Sequence, residues 1–201
     1  MAARDSLLVP LLAHPDVPGT GVKHIAACAE PGGRESLRFR YVLDADPMLV
    51  RIPPPTADAG RSDRLWAHTC LEAFVAMPGS PRYLELNFSP SGQWAAYCFD
   101  SYRQGMAPAL NVAPRVAVHR SGSRLELHAE VQLGGTFACL DPGPGPSDRA
   151  HLRLALSTVV EDREGRLSYW ALRHPPGRPD FHHPESFSLT LELPRNPLNC
   201  P

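Results

Sequence analysis

The chain of 201 residues has no excess of either charge: Lys and Arg number 20 against 21 for Asp and Glu, a net charge of −1. No basic field is available to hold a nucleic acid or an anionic membrane. No stretch approaches the roughly 18 consecutive apolar residues of a spanning helix. The one apolar stretch near the N-terminus, Leu7 to Leu12, is interrupted by Pro10 and preceded by Asp5, where an export signal wants positive charge. The expectation is a cytoplasmic protein with no membrane attachment. Cys28, Cys70, Cys98, Cys139 and Cys200 form no Cys-x-x-Cys pair, which excludes a zinc knuckle or redox dithiol, and they read as reduced thiols. There is no P-loop, no dinucleotide-binding glycine fingerprint, no Gly-x-Ser-x-Gly elbow and no internal repeat. Helical amphipathicity of any length is also missing, and 23 prolines, about twice the usual share, argue against long helices.

What is present is period-two alternation. Leu125, Leu127, Ala129, Val131 and Leu133 interleave with Arg124, Glu126, His128, Glu130 and Gln132, the pattern of a half-buried strand. Leu37, Phe39 and Tyr41, then Leu152, Leu154 and Leu156, then Phe187, Leu189, Leu191 and Leu193 repeat it. Further strands are predicted near 65–76, 82–89, 94–100, 112–119 and 167–172, about nine in all, separated by Gly, Pro and Ser. Short strands with one apolar face each must bury those faces against one another. The fold class expected is all-β, a two-sheet antiparallel β-sandwich of jelly-roll-like topology. One domain over residues 1–194 and a tail over 195–201 follow, with proline-rich loops at Ile52–Asp63 and Cys139–Ser147 that no central ladder can absorb.

Eight of the fifteen aromatic residues lie between Trp66 and Tyr102. If 65–76 and 82–89 form a hairpin across Pro78-Gly79-Ser80-Pro81, one register sets Val75 against Leu84, Ala73 against Leu86 and Leu71 against Phe88. It closes the apolar face without exception. The opposite face then carries Trp66, His68, Cys70, Glu72 and Phe74 beside Tyr83, Glu85, Asn87 and Ser89, with Glu72 across from Asn87. Rings stack on the apolar faces of sugars while carboxylates and amides take hydroxyl protons, so this face suits a polyhydroxy ligand. An ordinary solvated sheet face with aromatic packing under a loop is the competing reading. Glu72 and Glu85 also have the residue types of a glycoside-hydrolysing acid and base, whose carboxyls stand about 5 to 9.5 Å apart.

A second cluster, His174-Pro175-Pro176-Gly177-Arg178-Pro179-Asp180-Phe181-His182-His183-Pro184, carries three imidazoles and a carboxylate on a loop stiffened by four prolines. Its spacing matches no zinc signature, and adjacent His182 and His183 diverge. The expectation is a structural loop, ordered near Trp170, that buries Phe181 and turns His182 towards the pocket, with no metal. Nine histidines and several methionines offer axial haem ligands, but no Cys-x-x-Cys-His attachment site accompanies them.

The segments Leu65-Trp66-Ala67-His68-Thr69-Cys70-Leu71-Glu72-Ala73-Phe74 and Tyr83 to Tyr97, with Tyr102-Arg103-Gln104-Gly105-Met106 and Pro179-Asp180-Phe181-His182, resemble bacterial DOMON-like domain proteins, type 1b-like. That group is similar to family 9 carbohydrate-binding modules, whose Trp-x-x-x-x-x-Glu-x-Phe pattern is matched by Trp66, Glu72 and Phe74. The chain carries Thr69 where those modules typically have Asp. The resemblance implies a two-sheet sandwich with sugar-binding and haem-binding relatives. The expected function is binding of a small polar ligand, a sugar or glycoside, by a non-enzymatic module. The ligand-binding set is Trp66, Glu72, Glu85, Asn87, Trp94, Tyr97, Arg103 and His182, with no catalytic residue assigned and the cofactor unknown. The alternatives are a glycoside- or ester-processing enzyme using Glu72 and Glu85 or the His182 region, and a haem-binding, structural or partner-binding domain.

Overall fold

The computed structural model describes residues 7–33, 35–134, 140 and 149–194. Fourteen strands among them form two antiparallel sheets. One sheet has the order β1 (Val9–Pro10), β3 (Val22–Gly33), β4 (Ser36–Ala45), β11 (Arg124–Gln132), β10 (Arg115–Ser121). The other runs β2 (Leu12–Ala13), β13 (Leu167–Ala171), β12 (Arg149–Asp162), β6 (Cys70–Ala76), β7 (Tyr83–Phe88), β8 (Trp94–Phe99), β9 (Ala107–Pro108). The long β12 also pairs with β14 (Leu189–Pro194) and β5 (Val50–Arg51). The β-sandwich expected from the alternation is the fold observed.

The two sheets meet over their apolar faces. Phe39, Tyr41, Leu43 and Leu127 of the first pack with Leu71, Ala73, Val75, Leu84, Leu86 and Phe88 of the second, all fully buried. Each such side chain stabilises the fold by about 1.5–3 kcal/mol relative to exposure. The Tyr41 hydroxyl crosses this core and donates to the backbone carbonyl of Glu72 at 2.7 Å, which ties the first sheet to the strand that carries the site.

The β6–β7 register is the expected one: Leu71 faces Phe88, Glu72 faces Asn87, Ala73 faces Leu86, and Val75 faces Leu84. Three expectations need correction, and one strand, β3, was not among those expected. Leu65–Ala67 is a 3₁₀ turn, not the start of a strand, because Arg64 adopts a left-handed conformation (φ 60°) that turns the chain out of the sheet plane. β3 carries no clear alternation, because Ile25, Ala26, Ala27 and Cys28 are buried in succession, small residues filling both faces. Trp170 packs on the inter-sheet core, so the His174–Pro184 loop meets its neighbour Tyr169 on the opposite face. The thiol reading fails at Cys98, which is disulfide-bonded, whereas Cys28 and Cys70 form no disulfide. Cys139, Cys200, the 195–201 tail and most of the Cys139–Ser147 loop lie outside the described residues.

Candidate ligand site under the second sheet

In a sandwich the outer face of each sheet normally meets water. On β6, however, all seven residues are buried, including those that point away from the core. A second apolar layer explains this: Phe74, Tyr83, Tyr97, Phe99, Ala155 and Val159 of the outer face pack with Phe181 and Phe187, and Leu65 and Trp66 close one side. Residues 174–187 therefore lie across the sheet as a cover. Ser186 Oγ donates to the Asp180 carbonyl (3.0 Å), Arg153 donates to the carbonyls of Pro184 (3.0 Å) and Phe187 (3.2 Å), and His183 accepts from the Glu185 amide at the head of the 3₁₀ turn Pro184–Ser186. His174 reaches the Leu12 carbonyl at 2.8 Å. The face is therefore not solvated, while aromatic packing under a loop, the other half of the competing reading, is what the structure has.

Between cover and sheet is a cavity of about 430 Å³, of small-molecule size, lined by Trp66, Glu72, Glu85, Phe99, Arg103, Met106, Val159, Leu167, Tyr169, Pro179, Phe181 and His182 among others. Five of the eight expected residues line it: Trp66, Glu72, Glu85, Arg103 and His182. Asn87 stands behind them, fully buried, and donates through Nδ2 to Glu85 Oε1 at 2.7 Å while accepting a weak bond from the Cys70 thiol. It orients Glu85 without reaching the cavity. Tyr97 supports Trp66 edge-on (ring centroids 5.6 Å apart) and donates to Asp63 Oδ1 at 2.6 Å. Trp94 does not belong to the site. It pairs with Phe88 and turns to the inter-sheet core, with the Arg61 guanidinium over its outer ring.

One network holds the polar floor. Arg103 sits in a left-handed conformation (φ 55°) beyond β8, and its amide donates to the Tyr83 hydroxyl at 3.1 Å. Tyr83 in turn meets His182 Nδ1 at 2.8 Å. With Tyr83 giving its hydrogen to Nδ1, Nε2 is left protonated and faces Glu85 Oε2 at 3.7 Å, just beyond hydrogen-bond reach. Burial, reinforced by Arg103, holds His182 down to about 4, so the contact with Glu85 joins a neutral imidazole to a carboxyl. Burial pushes the Tyr83 hydroxyl up to about 12. Arg103 donates to Asp180 Oδ1 at 2.8 Å, Tyr102 donates to Asp180 Oδ2, and the His182 amide bonds to Oδ1 at 3.0 Å. Asp180 thus fastens the cover to the turn carrying Arg103.

Glu72 is the exception. It is 3% exposed, its carboxyl makes no hydrogen bond among the described residues, and Oε1 is closed off from solvent. Ser157, its partner across β12, likewise buries an unpartnered Oγ. Burial pushes Glu72 well above the ordinary carboxylate range and the neighbouring Glu85 adds to the shift, while Arg103 opposes it. Glu85 is raised as well, by burial, with Asn87 and Arg103 opposing. Thr69, in place of the Asp of similar modules, accepts from the Glu161 amide (3.0 Å) and donates to the Arg51 carbonyl (2.6 Å). It thereby stitches the strand that follows the Trp66 turn to β5 and β12.

Sequence reasoning missed Ser157, Phe99, Tyr169 and Phe181 as neighbours of the acids. Phe99 shares the parity of Tyr97 and was legible on that ground. Nothing local marked Ser157. A second cavity of about 520 Å³ lies across the Trp66 turn, lined by Pro53, Ser62, Asp63, Arg64, His68 and Gln93 among others, and contains none of the expected residues. Among the described residues no three His, Cys, Asp or Glu side chains are grouped to hold a metal ion.

No family model and no curated protein matches the sequence. Solved structures match the fold. A putative carbohydrate-binding protein from Bacteroides uniformis superposes with a TM-score of 0.67 at 18% identity, over 94% of this chain and 86% of that one. A family 9 carbohydrate-binding module from Caldicellulosiruptor kristjanssonii, solved with cellotriose, gives a TM-score of 0.47 at 9% identity, over 95% and 86% of the two chains. The first likeness establishes the architecture, and the second is too loose to carry an argument.

Proposed function

We propose that this chain is a non-enzymatic binding module, DOMON-like and of carbohydrate-binding type, that takes a small polyhydroxy ligand in the cavity above Glu72 and Glu85. The observation that carries the reading is that Glu72, on the wall of a cavity of about 430 Å³, has no hydrogen-bond partner among the described residues. Such a group costs about 1–3 kcal/mol unless something donates to it, and a ligand hydroxyl or amine does so. Trp66, Phe99 and Tyr169 supply the apolar surface that a sugar ring needs. The description of the Bacteroides uniformis protein as carbohydrate-binding supports the same reading. The test is a thermal-shift and calorimetric screen of mono- and disaccharides, since a ligand bound only to the folded state raises its apparent stability. The expected result is a shift with at least one sugar, lost in Trp66→Ala. No shift across the panel would overturn the proposal.

A second reading rests on one observation: Glu72 and Glu85 line the same cavity, and glycoside hydrolysis uses a carboxyl pair, one held protonated as the acid and the other ionised. Release of product from aryl glycosides, abolished in Glu85→Gln, would place this chain among enzymes.

A further inference from the structure

Resting on the reading of the cavity as a small-ligand site, we propose that its occupant is a cation: a primary ammonium carried by a polyhydroxy molecule, of amino-sugar chemistry. The charges that face the cavity do not balance. Among the described residues Arg103 is the one cationic side chain on its wall, and Asp180 already takes Arg103 Nη2 at 2.8 Å. Their charges match one another. Glu72 and Glu85 remain, and His182, neutral between Tyr83 and Glu85, offers them no positive charge. Glu85 has the Asn87 amide on Oε1; Glu72 has nothing.

Two carboxyls on one cavity floor with no counter-cation repel each other when ionised, and burial strengthens that repulsion. The protein on its own relieves it by retaining protons, which fits the upward direction of both groups. An ammonium relieves it better. It brings three donors and a positive charge to acceptor-only groups, and it displaces the retained proton. A neutral sugar hydroxyl brings one donor and adds lone pairs that need donors in turn. The rest of the wall agrees, since the rings of Trp66, Phe99, Tyr169 and Phe181 surround the acids and aromatic faces attract cations. Among the described residues no lysine lines the cavity and the one cationic group there, Arg103, is taken by Asp180.

The experiment compares D-glucosamine, D-glucose, N-acetyl-D-glucosamine and methylammonium by calorimetry at about pH 6.5, where an amine with a pKa near 7.7 is mostly charged. Glucosamine is expected to bind at least about tenfold more tightly than glucose or N-acetylglucosamine, the fold-change of one charge-assisted hydrogen bond. The advantage disappears in Glu72→Gln and shrinks in Glu85→Gln, with unfolding curves showing both variants folded. Glucose binding as tightly as glucosamine would overturn the cation and leave the sugar reading standing. Methylammonium matching glucosamine would uphold the charge and overturn the sugar. Failure of all four to bind would overturn both.

Discussion

The outer faces of the two sheets are built on the same alternation and treat the same residue in opposite ways. On the first sheet Arg40 donates to Glu126 Oε1 at 2.7 Å and His128 meets the same oxygen at 2.9 Å, all three in contact with water. Burial alone would raise Glu126, but the bonds from Arg40 and His128 outweigh it and its carboxyl lies below the ordinary range. On the second sheet Glu72 and Glu85 lie above it. The strands do not account for this. What differs is that one face carries arginines and stays open, while residues 174–187 shut the other and leave its acids with a single arginine committed to Asp180. Alternation distributes polar residues to a face, and the cover decides what chemistry they perform.

The most drastic way to break the contrast is to lift the cover. Phe181→Ala removes a buried ring that packs on Tyr169 and should cost about 3–5 kcal/mol in a urea unfolding titration, with loss of ligand-induced stabilisation. A cost under about 1 kcal/mol would show that the cover is held by its hydrogen bonds alone.

The next test uses pH. His182 has an ordinary value of 6.5 and is held to about 4 in the fold, so the stability it contributes is complete above 6.5 and is lost as pH falls through 4. The total is roughly 3 kcal/mol at 1.36 kcal/mol per unit. His182→Asn should remove that acid-side loss, as seen by comparing unfolding free energies at about pH 7 and about pH 4.

For Glu72 the sign reverses. Its folded value is raised, so its contribution is complete below 4.5 and is lost as pH rises through the folded value. Glu72→Gln should therefore be the more stable protein on the alkaline side, by about 1–2 kcal/mol, the penalty of one unsatisfied buried group. An unchanged alkaline slope would mean that Glu72 is not the group that titrates. Smallest of all is Glu126→Gln on the open face, expected to shift stability by less than about 0.5 kcal/mol because its ion pairs are screened by water. A shift comparable to that of Glu72→Gln would erase the distinction between the faces.

Much of this was legible in the residues. The β6–β7 register followed from closing one apolar face, and it brought Glu72, Asn87 and Glu85 together correctly. Trp94 was placed in the site with Tyr97 although three positions separate them, and period-two parity sends such residues to opposite faces. That error lay in the reasoning, since the residues themselves told the two faces apart. The proline-rich loop announced order, a buried Phe181 and an inward His182, and the fold has all three. The depth of burial of the acids was not legible. It depends on a segment about 100 positions away, and alternation records which face a residue takes but nothing of what later covers that face. Ser157 was hidden for the same reason, one of two adjacent hydroxyls in an apolar run that gains meaning only opposite Glu72.

The long strand β12 has a consequence in time. It joins β5 and β6 along one edge to β13 and β14 along the other, so the second sheet is completed from positions as far apart as Val50 and Pro194. The β6–β7 hairpin, by contrast, closes between Leu71 and Phe88, while the Tyr83–His182 bond spans 99 positions. Short loops close at lower entropic cost than long ones. Glu72 and Glu85 are therefore brought together while still hydrated and ionised, and they surrender water and charge only when the distant half of the chain arrives. Assembly of the site is, in its last step, an act of dehydration.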